Sequence, residues 1–240
     1  MSSGTGYVAL LLEAPMQSWG FGSQFERRST GLFPSKSGIA GLLCAALGCA
    51  KGSQSERAAM DVLRSSAMLA IAIPKSREVR RMEDFHTVLD TRIAEDNKRN
   101  KNPVVTRREY LLDARFGIVL KLPSDWAQKV AAAVEDPVWG IWLGRKCCIP
   151  AGPVCRGVWQ TEEDAVRHLV GDSALRFFTT VRDVDNFDSA TDTLRDQPIS
   201  FGSPESSGSH LREYAVRRIR LTLAESEVPD ERPAPASESS

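Results

Sequence analysis

A chain of 240 residues with 42% hydrophobic and 26% charged side chains has a globular composition and can bury a core unaided by metal or disulfides. Its five cysteines contain no CxxC pair, which argues against zinc binding and a secreted disulfide framework. The N-terminus lacks a basic signal region, and no apolar run reaches the roughly 18 residues of a membrane helix. A cytoplasmic protein with no membrane contact, metal or cofactor is expected.

Tyr7 to Leu12 is an apolar run followed by Glu-Ala-Pro, a buried strand and a break. Residues 14–34 form a loop rich in Gly, Ser and Arg that carries Trp19, Arg27 and Arg28. Ser35 then caps a helix through KSGIAGLLCAALG, whose Ile39, Leu42, Leu43, Ala46 and Leu47 share one face and which stops at Gly48. A short helix from about Gln54 to Arg64 leads into a strand at Met68–Ile73. A polar, basic insert follows, with a strand-like DFHTVLD in its middle. Tyr110 to Leu122 is expected as one strand, Ser124 to Asp136 as a helix, and WGIWLGRKCCIP as a short strand with a glycine turn. Further strands are expected at Val154–Trp159, Arg176–Val184 and Glu213–Leu223, with a helix at Glu162–Leu169.

This order predicts an α+β fold, a modified ferredoxin-like (RRM-like, βαββαβ) domain over residues 1–150 with a hairpin insertion at about 77–108. Residues 151–223 are expected as a small β-rich C-terminal lobe, and 224–240 as a disordered acidic tail.

Charge is unevenly spread behind a net charge of zero. From Leu221 to Ser240, five acidic residues oppose Arg232 alone, whereas Lys75 to Arg108 holds ten Lys or Arg against six Asp or Glu. A second basic cluster lies at Arg212, Arg217, Arg218 and Arg220. Local basic excess is the footprint of a polyanion partner.

Three segments suit single-stranded RNA. The helix start at Ser35, Lys36 and Ser37 offers backbone N–H groups and a cation to phosphate, although the GxxxxGK[ST] spacing of a nucleotide-hydrolysing loop is missing. In the insert, Arg77, Arg80, Arg81, Arg92, Lys98, Arg99, Arg107 and Arg108 can track a backbone while Phe85 and His86 stack on bases. Gly144 delivers Arg145 and Lys146 from a turn. Cleavage would need an acid–base group, for which His86, with Tyr110 and Lys146 as partners, is the candidate; a metal-independent endoribonuclease is therefore the alternative to a non-catalytic binder. His168 and His210 sit on an amphipathic helix and in a loop, without evident partners.

Taken in order, APMQSWG, LFPSKSGIAGLLCAALG, EDFHTVLD, REYLLDARF and WLGRKCCIP resemble the CasD family, the fifth-family CRISPR-associated (RAMP superfamily) subunits of type I-E Cascade. The resemblance implies a RAMP domain with a hairpin thumb that binds the 5′ handle of the CRISPR RNA in antiviral defence. It also implies neighbouring backbone and large PAM-reading subunits as partners, with target DNA engaged only through the complex. The related type I-C subunits process RNA with a Tyr, a Lys and an adjacent His; here Lys146 is followed by Cys147, which favours a subunit without catalysis.

Overall fold

A computed structural model describes residues 4–20, 26–74, 80–90, 102–186, 188, 191–202 and 212–225. Its strands are β1 (Thr5–Glu13), β2 (Met16–Gln17), β3 (Arg27–Arg28), β4 (Ala67–Ala72), β5 (Arg80–Val88), β6 (Val104–Leu112), β7 (Arg115–Pro123), β8 (Cys155–Trp159), β9 (Thr180–Asp183), β10 (Asp192–Ser200) and β11 (Glu213–Thr222). Its helices are α1 (Lys36–Ala46), α2 (Gln54–Ser65), α3 (Ser124–Glu135) and α4 (Glu162–Val170).

Seven strands form one sheet in the order β10-β11-β9-β4-β7-β1-β8, with every neighbouring pair antiparallel. Alternation along β1 explains its unbroken apolar run. Val8, Leu10 and Leu12 enter the core with Ile39, Leu43, Met60, Leu63 and Val130 from α1, α2 and α3. Ala9 faces the opposite side, where Ala165 and Leu169 of α4 cover it. A strand buried on both faces has no reason to alternate in polarity.

The helix ends follow local chemistry. Ser35 accepts from the Gly38 N–H at 3.2 Å, Ser53 from Glu56, and Thr161 from Asp164, each satisfying an N–H that the helix itself leaves orphaned. Gly48, at φ 67°, turns the chain out of α1.

Tyr110–Leu122 is not one strand. It breaks at Asp113, whose φ is 51°, into β6 and β7, which belong to different sheets. The break in β1–β2 at Ala14-Pro15 lies directly opposite: Glu13 pairs with Arg115, and Met16 with Leu112. The buried Gln17 amide donates to the Leu12 and Ala114 carbonyls at 3.1 and 2.6 Å, sealing both breaks at once. From this joint springs a second sheet, in which β5 pairs with β6 along its whole length, while β2 pairs with it only at Leu111–Leu112 and β3 only at Arg107–Arg108.

Other expectations change as well. WGIWLGRK forms no strand, because the Val138 and Trp139 N–H groups donate to the last-turn carbonyls of α1, Ala46 and Ala45, instead of to a sheet. The strand expected from Arg176 begins at Thr180, after a turn of 3-10 helix at Leu175–Phe177. Strand β10, in the polar DTLRDQPIS, was not foreseen. The described residues of 151–223 build no sheet of their own: β8 extends one edge of the main sheet, and β9, β11 and β10 extend the other. Of the acidic tail expected over 224–240, Ala224 and Glu225 are held to the fold, their N–H groups donating to the Thr179 hydroxyl and the Arg176 carbonyl, and residues 226–240 lie outside the described residues.

Candidate nucleic-acid interface

Strands β5 and β6 pair residue for residue from Arg80–Leu112 to Val88–Val104. On the other side of β6, β3 runs parallel and sets Arg27 beside Arg107 and Arg28 beside Arg108. Four arginines from sequence positions eighty apart thus occupy two adjacent rungs. Opposite Arg107 stands Phe85, 62% exposed, with the guanidinium 5.0 Å from its ring centroid. Glu83 approaches Arg107 on the same face, at 3.8 Å.

The loop after α3 adds two more cations. Leu143 donates to the Cys148 carbonyl and Cys148 to the Arg145 carbonyl, closing a tight turn. Gly144 has φ 97° and lies so close to Ser18 that a Cβ there would sit 1.7 Å from the Ser18 carbonyl oxygen. The turn therefore locks against the segment leading to β3, with Ser18 N–H on the Leu143 carbonyl and Ser18 Oγ on the Glu109 carbonyl. Arg145 is carried over the Tyr110 ring, 4.7 Å from its centroid, and donates to the carbonyls of Arg28 at 2.7 Å and Glu109 at 3.3 Å. Lys146 is exposed, its Nζ 5.7 Å from the Trp142 centroid. Arg27 with Arg107 and Arg28 with Arg108 form two pairs on opposite faces of β3–β6, and Arg145 docks beside them on the Arg28 and Glu109 carbonyls, with Glu83 and Asp84 of β5 and Glu109 of β6 as the nearby carboxylates of the sheet.

Glu109 is an anchor that sequence reasoning missed. Its carboxylate accepts from the Thr30 N–H and its carbonyl from Ser18 and Arg145. A lone glutamate inside REYLL carries no local signal of that role.

The helix start is not a phosphate site. Asp196 of β10 already accepts from the Lys36 N–H at 2.8 Å, and the buried Lys36 ammonium contacts Asp183 at 2.8 Å and the Ser66 carbonyl at 2.6 Å. Arg217 completes the network through Asp196, at 2.5 and 2.9 Å, and through Asp183. Two cations and two carboxylates balance inside the protein, leaving no charge there for an external anion. Burial alone would weaken the charge on Arg217; hydrogen bonds and charge from Asp196 and Asp183 more than offset it and raise its pKa. Ser35 and Ser37 serve the same helix end, Ser35 as its cap and Ser37 donating to the Ser35 hydroxyl.

Trp19 is a second correction. It is fully buried, its indole N–H on Gln17 Oε1 at 3.0 Å, and its ring packs so tightly on Gly38 that a Cβ there would lie 2.8 Å away. A side chain without exposed surface cannot stack on a base. The second basic cluster also turns inward or pairs: Arg217 is buried, Arg220 pairs with Asp188, Arg218 donates to the Asp185 carbonyl, and Arg212 lies 6.0 Å from the Phe201 ring.

Arg80 and Arg81 are exposed at the hairpin base, Arg80 paired with Asp113. Arg77, Arg92, Lys98, Arg99 and His210 lie outside the described residues. His168 packs beside Trp159, ring centroids 4.9 Å apart and planes tilted by 38°. The acid–base trio does not assemble: His86 pairs across to Thr106, four residues before Tyr110 on β6, about 13 Å along the strand. Tyr110 is buried, accepts from the Cys147 thiol at 3.6 Å, and is held above its ordinary pKa by burial despite the nearby Arg145.

With this geometry in view, comparison with known proteins is decisive. The family model described as CRISPR-associated protein (Cas_Cas5) matches residues 7–220. The chain belongs to that family. One curated relative, the CRISPR system Cascade subunit CasD of Escherichia coli (strain K12), is 31% identical over 166 residues, 65% of this chain and 73% of the relative. A chain from a solved CRISPR RNA-guided surveillance complex superposes with a TM-score of 0.66 at 29% identity, covering 90% of this chain and 88% of the other. A crystal structure of a Cas protein gives 0.63 at 23% identity, covering 91% and 95%, and shares the fold. Among the described residues, no helix of this family member is long and apolar enough to cross a membrane.

Proposed function

We propose that this chain is a non-catalytic subunit of a type I-E Cascade surveillance complex. It holds the 5′ handle of the CRISPR RNA on the β3–β6 edge and the 144–146 turn, and contacts the complex's backbone and large PAM-reading subunits. The observation that carries this reading is the pairing of Arg27–Arg28 with Arg107–Arg108, extended by Arg145 docked on the Arg28 carbonyl. Adjacent guanidinium groups on neighbouring strands repel one another unless an anion lies between them, and forked hydrogen bonds suit phosphate oxygens. Phosphate contacts position a strand, while exposed Phe85 and His86 offer stacking surface beside it. The neighbouring order β4-β7-β1-β8, with helices α1–α2 and α3 as crossovers, supports a modified ferredoxin-like RAMP core with β5–β6 as its thumb.

Separation of His86 from Tyr110 favours binding over cleavage, since both groups would have to reach one phosphodiester. The test is co-purification with the other complex subunits, followed by RNA titration at several salt concentrations. Arg145→Ala with Lys146→Ala is expected to weaken binding and to reduce the salt slope by about 1.4, the value for two phosphate contacts to a single strand. Unchanged affinity and slope, or cutting of repeat RNA in EDTA, would overturn the reading.

A further inference from the structure

Arg108 and Arg145 differ from the buried cations in one respect: the groups that hold them carry no charge. Arg145 rests on two backbone carbonyls and the Tyr110 ring. Arg108 is held by Thr106, two residues before it on β6 and on the same face of the strand, where its Nε–H donates to the Thr106 hydroxyl at 3.1 Å. Among the described residues of β3, β5 and β6, the arginines paired with carboxylates are Arg80, with Asp113, and Arg107, with Glu83. Arg108 is in neither pair, although Asp84 stands across the ladder from it.

Thr106 is itself fixed. It is buried, its β-branched side chain is stiff at χ1, and its hydroxyl donates to the His86 carbonyl of β5 at 3.2 Å. A hydroxyl has one proton to give. With that proton committed across the hairpin, the oxygen's lone pairs are left to receive Arg108.

Resting on the RNA-binding reading above, we propose that Thr106 is the positioning residue for Arg108: its hydroxyl holds the guanidinium by Nε and leaves the two terminal NH2 groups to fork onto an RNA phosphate. A carboxylate in that place would hold the arginine as firmly but balance its charge, as Asp196 and Asp183 do for Arg217. A hydroxyl orients without neutralising. An arginine already in place gives up less side-chain freedom when the phosphate arrives, so the gain is one of preorganisation.

The test is a double-mutant cycle, read as binding of a fluorescein-labelled single-stranded RNA of about ten nucleotides by the subunit in its co-purified complex across several salt concentrations. Arg108→Ala is expected to weaken binding and lower the salt slope by about 0.7, the value for one phosphate contact to a single strand. Thr106→Val keeps the branched shape and removes the hydroxyl. It is expected to weaken binding by about 2-fold to about 12-fold, the range for ordering one long side chain anew. Thr106→Ser, which keeps the hydroxyl, is expected to recover most of that loss. In the Arg108→Ala background, Thr106→Val should cost nothing further. A general loss of fold would instead appear equally in both backgrounds. An equal loss with and without Arg108, or full affinity in Thr106→Val while Arg108→Ala binds weakly, would overturn the positioning role and leave the phosphate path standing. Unchanged affinity and slope in Arg108→Ala would remove Arg108 from the phosphate path, and this inference with it.

Discussion

Asp196→Ala tests the buried ion network and, with it, the reassignment of the α1 start. Asp196 is 2% exposed and accepts two hydrogen bonds from Arg217 and one from the Lys36 N–H. Removing it leaves Lys36 and Arg217 facing Asp183 alone, an excess positive charge with little solvent access. Breaking a buried pair by deleting one partner costs about 3–5 kcal/mol. For a chain of this size that lowers Tm by roughly 6–20 °C. Thermal denaturation followed by circular dichroism measures the shift. Replacing Arg217 by Met and Asp196 by Leu together restores charge balance, with Lys36 and Asp183 still paired, and is expected to recover part of the loss. RNA affinity per folded molecule should be unchanged throughout. If Asp196→Ala left Tm within about 2–4 °C, roughly 1 kcal/mol, and instead altered RNA affinity and its salt slope, the network argument would be refuted and the helix start would again be a phosphate site.

Gly144→Ala places a methyl group against the Ser18 carbonyl at a positive φ, a strain of about 1–3 kcal/mol; RNA affinity should fall with Tm, since the turn must move off Ser18 and take Arg145 with it. Burial pushes the Cys44 and Cys148 thiols from 9.0 up to about 12. Because the folded values are raised, their stabilising contribution is complete below pH 9.0 and is lost as pH rises toward about 12; the urea midpoint should decline across that window, and less steeply in Cys44→Ala. Native-state alkylation near neutral pH should modify the exposed Cys147 while Cys44 and Cys148, both buried, stay protected until the protein unfolds. Gly38→Ala drives a methyl group into the Trp19 ring and should lower Tm, an overpacking cost of about 1–3 kcal/mol, without changing the salt slope of RNA binding.

Patterns of near neighbours were legible from the chain alone. Helix periodicity, the Ser35 cap and the stop at Gly48 depend on residues within a few positions, and α1 forms where they indicate. The pairing of Arg145 with Arg28 could be anticipated only as two basic segments; the carbonyl that joins them depends on how the strands meet. Lys36 shows the limit most clearly. A serine-capped helix start with a lysine is, by local chemistry, an anion site, and the anion turned out to be Asp196, 160 residues away.

Amino-acid order by itself determined the four helices and strands such as β1, β4 and β8, the family resemblance and the concentration of cations in the middle of the chain, because each is a property of local composition and spacing. Only tertiary structure decided which of those cations remain available. A charge's role depends on whether folding brings a carboxylate within about 3 Å and excludes water. That happened to Lys36 and Arg217, buried beside Asp183 and Asp196, and left Arg27 and Arg28 exposed beside the arginines of β6.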